Sequence, residues 1–220
     1  MNNIDQKLWT HEAFYNPFGP NLLRLKINED IRLKLLDLIK DHQANVWEEK
    51  QIIQGGSAYD RQKNSIVDGK FGEISEKWQE EYYGNIITNT IQSVLCRYGE
   101  LHYDMPCVAS VDDVWYVIMK SGDFHMLHAH IQPQSQVSGA IYLEIPDNLP
   151  DPQGSMNWVL GGSQKPLYNN MYKHSPELGD VFLWPAELMH TVYPFRSKQE
   201  RIMISFNGVV EPIENKEDNG

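Results

Sequence analysis

The order of hydropathy patterns along the chain predicts an α+β protein, with helices packed on a β-sandwich or barrel. Helical periodicities fill the N-terminal half. After Gly99 the texture changes to short runs rich in Val, Ile, Tyr, Trp and Phe, divided by Gly, Pro, Asn and Asp. At 220 residues, with 41% apolar and 22% charged residues, the chain is long enough for one sizeable core and ordinary for a folded protein. A single domain over 1–220 is expected: mainly helical support and loops over 1–103, a β core over 104–210 and a frayed acidic tail over 211–220.

Behind Asn28, a candidate N-cap, Ile31, Leu35, Leu38 and Ile39 recur at helical spacing and predict a helix toward Val46. Residues 54–72, with Gly55, Gly56, Asn64 and Gly69, read as a long loop, and long loops often cover a site. A second helix is expected from near Ser75 through Trp78, Tyr82, Ile86, Ile87, Thr90, Ile91, Val94 and Leu95 to a stop at Gly99. Strands are expected over 114–120, 124–130, 137–145, 157–160, 180–184, 190–193 and 201–210, with 146–154 and 161–176 as connecting loops.

Charge and cysteine content exclude several function classes. A net charge of −11 with no local cluster of basic residues argues against a general binder of nucleic-acid backbones. Cys96 and Cys107 are too few for a disulfide framework and form no CxxC pair, which fits a reducing compartment. Residues 1–10 are too polar for a signal peptide, and no segment approaches the roughly 20 apolar residues of a membrane span, so a cytoplasmic protein is expected.

The residues that point to chemistry are histidines. Of eight, His125, His128 and His130 fall within one short segment of an expected strand. Side chains alternate along a strand, so His128 and His130 should share a face while His125 points to the other. Two imidazoles side by side suit iron, zinc, copper or nickel and need a third ligand from elsewhere. His190 is the best source, because Gly179 to Pro185 reads as turn, buried strand and turn, delivering His190 to the next strand. Such a trio on spacing alone is as consistent with structural histidines as with a metal site. His11, His42, His102 and His174 lack comparable company and are read as structural or exposed.

The order of these pieces carries more than their number. Leu127-His128-Ala129-His130, Ser138-Gly139-Ala140-Ile141-Tyr142-Leu143, Gly179-Asp180-Val181-Phe182-Leu183-Trp184-Pro185, His190-Thr191-Val192-Tyr193-Pro194 and Arg201-Ile202-Met203-Ile204-Ser205-Phe206-Asn207 follow one another between Trp115 and Asn207. This stretch resembles the 2-oxoglutarate and Fe(II)-dependent oxygenases, prolyl-hydroxylase-like in outline. The resemblance implies a double-stranded β-helix core of the jelly-roll or cupin-like kind, with N-terminal supporting helices. It also implies Fe(II) held by His128, His130 and His190, with 2-oxoglutarate and O₂ as cosubstrates and no catalytic residue beyond the metal ligands.

Arg201 stands where the family places the basic residue that anchors the far carboxylate of 2-oxoglutarate, and a guanidinium grips a carboxylate through two parallel hydrogen bonds. Tyr142 matches the position from which relatives offer a phenol to the same group, and Ser205, four residues past Arg201, can add a hydroxyl from the same strand face. Trp115 and Trp184 are read as walls of the site. The chain departs from the family at His130, where most members carry Asp or Glu, so its iron site would be one unit more positive. Glu144 and Gln132 are the alternative third ligands.

The implied activity is hydroxylation of a peptide residue or small molecule, coupled to decarboxylation of 2-oxoglutarate to succinate. Two rivals remain at this stage. Gly122 and His128-x-His130, then Gly179, Pro185 and His190, also fit most of a cupin pattern, so a three-His cupin-type metalloenzyme is one; a non-catalytic β-helix binding module is the other. The loops over 54–72, 148–154 and 161–176, with Tyr59, Tyr168, Tyr172 and Lys173, are the expected substrate contacts. Substrate identity and oligomeric state are not written in the motifs.

Overall fold

The structure is a computed structural model describing residues 8–15, 19–46, 86–131, 133, 135–161 and 170–213. In chain order its elements are β1 (Trp9–Tyr15), β2 (Leu22–Ile27), α1 (Glu29–Val46), α2 (Ile86–Tyr103), β3 (Cys107–Met119), β4 (His125–His128), β5 (Val137–Glu144), β6 (Met156–Val159), β7 (Met171–His174), β8 (Asp180–Pro185), β9 (Met189–Val192) and β10 (Arg201–Pro212).

The strands form two antiparallel sheets. The larger has the order β1-β2-β8-β5-β10-β3 and the smaller β4-β9-β6-β7. From β3 onward the chain passes repeatedly between them, so β3, β5, β8 and β10 build one wall and β4, β6, β7 and β9 the other. This is the double-stranded β-helix expected from the sequence.

Alternation along the strands of the large sheet separates two cores. Val114, Tyr116, Ile118, Ile141, Leu143, Val181, Leu183, Ile202, Ile204 and Phe206 face the helices and pack with Leu35, Leu38, Ile39, Ile91, Val94 and Leu95. Their neighbours Trp115, Val117, Met119, Ala140, Tyr142, Phe182, Trp184 and Met203 face the small sheet, where they meet Met156, Trp158 and Val192. The helices thus brace the outer face of the wall whose inner face carries Arg201, Met203, Ser205 and Asn207.

Helix α1 begins as the sequence predicts: the Asn28 carbonyl accepts from the Arg32 amide at 3.0 Å, and Glu29 and Asp30 place negative charge on the first turn. It is tied to β5 by Lys40–Glu144 at 2.9 Å and by Arg32 donating to the Leu143 carbonyl. The expected stop of the second helix at Gly99 is corrected. Helix α2 runs on to Tyr103, and Asp104, at φ 55°, provides the left-handed residue that ends it. Gly99 serves close packing instead, since a Cβ there would lie 3.1 Å from Cys107 Cβ and 3.2 Å from Val210 Cβ.

Three strands escaped the sequence reading. β1 and β2 extend the large sheet ahead of the helices, and β2 is joined to β8 by Arg24, whose Nε and Nη2 donate to Asp180 Oδ1 at 3.1 and 2.9 Å. Burial alone would raise the Asp180 carboxyl, but the His174 ring 3.4 Å away and hydrogen bonds from the Glu177 amide and Arg24 outweigh it and hold the group below the usual carboxylate range. β7 lies inside the stretch read as a loop over 161–176, and β10 continues through Glu211 and Pro212 of the expected tail. The loop over 54–72, the helix start near Ser75, Gln132, Tyr59, Tyr168 and residues 214–220 lie outside the described residues. Among the described residues no helix is long and apolar enough to cross a membrane.

Candidate metal centre

Strands β4 and β9 bring the site together. His128 and His190 are direct cross-strand partners, with ring centroids 4.3 Å apart. His130 lies just past the end of β4, where its amide donates to the Ala186 carbonyl at 2.9 Å. Its ring stands 5.2 Å from that of His128 and 5.0 Å from that of His190. Ligand-capable nitrogens of the three residues all lie within 4.8 Å of one another. Among the described residues no carboxylate or thiol joins the group.

The second nitrogen of each ring is committed. His128 Nδ1 lies 2.7 Å from the Met126 carbonyl, His190 Nδ1 3.0 Å from the Leu188 carbonyl, and His130 Nδ1 2.7 Å from Asn207 Oδ1. Each acceptor requires the proton on Nδ1, which leaves the Nε2 lone pair free. Asn207 is held in turn by Ser138 Oγ, which donates to the same Oδ1 at 2.7 Å and lies 2.9 Å from His130 Nδ1. Burial, followed by the other histidines, pushes His190 well below its ordinary value. Burial also lowers His130, against the opposing effect of Asn207. All of this favours the neutral imidazole that binds a metal.

The expected orientation of His125 is corrected. Two Cα steps along β9, from His190 to Val192, face three along β4, from His128 to His125. The extra residue is a β-bulge, which reverses the alternation and returns His125 to the face of His128, rings 5.6 Å apart. His125 is 5% exposed and lines the same cavity as Trp115, His128, His130, Trp184, His190 and Ser205. Trp115 and Trp184 pack against His130 and His190 at 5.4 and 5.0 Å, as walls.

Arg201 lies behind this cavity on the inner face of β10, 1% exposed. Its Nη1 donates to the Gly154 carbonyl at 2.7 Å, and its guanidinium sits 4.8 Å from the centroid of Tyr142. Its Nε has no partner, and no carboxylate is among the groups that act on it in the described residues. Burial consequently drives the Arg201 guanidinium down from its ordinary value. Tyr142 is fully buried and its hydroxyl donates to Met156 Sδ at 3.1 Å. Ser205 faces the cavity. Glu144, an alternative ligand, is turned away to Lys40 of α1. The sequence reading assigned Asn207 and Ser138 no role in the site and turned His125 to the opposite face; for Asn207 the signal was available, since it lies two residues past Ser205 and six past Arg201 on one strand face.

Residues 113–207 match the family model described as "Putative 2OG-Fe(II) oxygenase". No curated protein matches the sequence. Solved structures share the fold. An oxidoreductase of the 2OG-Fe(II) oxygenase family from Burkholderia pseudomallei aligns with TM-score 0.50 at 14% identity, over 84% of this chain and 83% of that one. The non-heme alpha ketoglutarate dependent carbocyclase SnoK of nogalamycin biosynthesis aligns with TM-score 0.54 at 10% identity, over 85% and 78%. HygX from Streptomyces hygroscopicus, solved with nickel and 2-oxoglutarate bound, aligns with TM-score 0.51 at 11% identity, over 87% and 82%. At these identities the likeness is one of fold. The family match spans β4, β9 and the first half of β10, and so covers all three clustered histidines.

Proposed function

We propose that the protein is a non-haem Fe(II) and 2-oxoglutarate-dependent dioxygenase that hydroxylates a peptide residue or a small molecule. The observation that carries this reading is a three-imidazole group lining a cavity with a buried, carboxylate-free Arg201 directly behind it, against the cavity-lining Met203. A guanidinium 1% exposed with an unpartnered Nε is costly unless an anion completes it. The donor set fits the metal as well, since three neutral imidazoles with their Nδ1 protons engaged suit iron, nickel or zinc.

Fe(II) held by His128, His130 and His190 would supply the O₂-activating chemistry that couples loss of CO₂ from 2-oxoglutarate to oxidation of a C–H bond. The protein's own residues hold and orient. His128, His130 and His190 present Nε2 lone pairs, and Asn207 with Ser138 fixes the ring of His130. Arg201 receives the far carboxylate in a bidentate grip, with Tyr142 beneath its guanidinium and Ser205 on the same strand face. Trp115, Trp184 and Met156 keep water from the reacting end. With His130 in place of a carboxylate, the ligand set carries no negative charge, which strengthens its hold on a dianionic cosubstrate.

Arg201 favours this reading over a cupin-type enzyme whose substrate carries no anionic group, because only an anion completes a buried guanidinium. The test is release of succinate and CO₂ from 2-oxoglutarate by the Fe(II)-loaded protein with a reductant. Turnover, even without a primary substrate, is expected at His128 and His190 wild type and lost on replacing either. Absence of turnover together with absence of 2-oxoglutarate binding rejects the proposal.

A further inference from the structure

Seven buried side-chain polar atoms lack a hydrogen-bond partner among the described residues, and three of them, Trp115 Nε1, His125 Nε2 and Trp184 Nε1, belong to residues lining the cavity of the histidine cluster. The two indoles can only donate. His125 differs from the other three histidines of the site. It stands outside the group whose nitrogens converge within 4.8 Å, yet the bulge of β4 turns it to their face. Its backbone is fixed there, because Thr191 Oγ1 donates to the His125 carbonyl at 2.6 Å across the β4–β9 ladder. Arg201, His128 and His130 are the charged or chargeable groups that act on it. A neutral ring, 5% exposed, with Nε2 sealed from water and unpartnered, is incomplete without a ligand atom.

We infer that His125 is a further cosubstrate-binding residue, which donates Nε2–H to a carboxylate oxygen of an anion held between Arg201 and the three clustered histidines. This rests on the 2-oxoglutarate reading given above and adds a donor from the small sheet to those of the large one. The ligand is then gripped from both walls of the β-helix: Arg201 and Ser205 on β10, and His125 on β4. A carboxylate is the class of group selected, since the cavity offers donors and no acidic side chain lines it.

The test compares Ni(II)-loaded wild type with His125→Phe and His125→Gln by calorimetric titration of 2-oxoglutarate, with Ni(II) affinity measured separately. Loss of a hydrogen bond to a charged group predicts that His125→Phe weakens 2-oxoglutarate about ten- to hundredfold. His125→Gln, which keeps a donor, should recover part of that loss, and Ni(II) affinity should stay within about threefold of wild type. An unchanged 2-oxoglutarate affinity in His125→Phe overturns the inference, as does a loss of Ni(II) affinity as large as that expected for a ligand, which would make His125 a fourth metal ligand. Should the phenylalanine variant not fold, ¹⁵N-histidine spectra of the diamagnetic Zn(II) protein decide: the His125 Nε2–H signal must shift on adding 2-oxoglutarate, and an unmoved signal rejects the role. If wild type itself binds no 2-oxoglutarate, the functional reading fails and this inference with it; if wild type binds and the variants bind equally well, only the inference fails.

Discussion

His128 and His190 face each other directly across the β4–β9 ladder, ring centroids 4.3 Å apart, so two imidazoles of the cluster are set by strand register. Any change that slips this register by one residue would move one ring to the opposite face. Acidification has a defined direction here. His125, lowered to about 3, and His130 and His190, also lowered, stay neutral in the fold where the unfolded chain binds protons below about 6.5. The unfolded state then holds more protons, so the stability these groups contribute is complete above about pH 6.5 and is lost as pH falls toward the folded values. Metal-free protein should lose up to about 1.4 kcal/mol per pH unit for each histidine that remains neutral, read from urea unfolding between pH 7.5 and 5. A pH-independent unfolding free energy over that range would contradict the burial of these rings.

Arg201 couples stability to binding with opposite signs. Arg201→Met removes a buried cation that has no counter-ion while keeping most of its volume, so the metal-free variant should be more stable than wild type by about 1 kcal/mol or more. The same variant should lose 2-oxoglutarate binding and keep metal affinity. Denaturant unfolding and calorimetry on one preparation check both halves; a destabilised variant that still binds 2-oxoglutarate would refute the assignment.

Asn207 holds His130 through a neutral oxygen, with Ser138 completing the contact. Asn207→Ala should free the ring and weaken metal binding about 10–100-fold. Asn207→Asp should tighten it relative to alanine, because a carboxylate on Nδ1–H makes the imidazole a stronger donor and returns the negative charge missing from the ligand set. Competition with a chromophoric chelator measures the order expected: Asp above Ala.

Gly139 sits where β5 passes beneath Phe206. A Cβ there would lie 2.2 Å from Phe206 Cζ and 2.6 Å from Cε2, so Gly139→Ala must displace a fully buried ring in the core between sheet and helices. A loss of about 3 kcal/mol or more is expected in thermal or denaturant unfolding, partly restored by Phe206→Leu in the same chain.

The sequence carried the core strands because the motifs are local and the alternation strong: β5 and β8 are buried almost throughout, and β10 shows both faces in Arg201, Met203 and Ser205 against Ile202, Ile204 and Phe206. What it did not carry depends on pairing. β7 is a four-residue edge strand, too short to stand out from the loop around it, and β1 alternates too weakly to be told from coil. The bulge that brings His125 to the site exists only as a mismatch between β4 and β9, so no pattern within the His125–His130 segment could reveal it. Gly99 misled for a related reason: a glycine required for contact with Cys107 and Val210 looks, in sequence, like one required for a turn.

Anaerobic titration of the Fe(II)-loaded protein with 2-oxoglutarate tests the central claim most directly, because a keto acid chelated to Fe(II) produces a visible charge-transfer absorption that a carboxylate bound elsewhere does not. The three-histidine centre backed by Arg201 predicts that the band develops to a single equivalent in wild type. It should be absent from His128→Ala and His190→Ala for want of iron, and from Arg201→Met despite bound iron. Iron uptake without the band in wild type, or a band that survives loss of His190, would contradict the account.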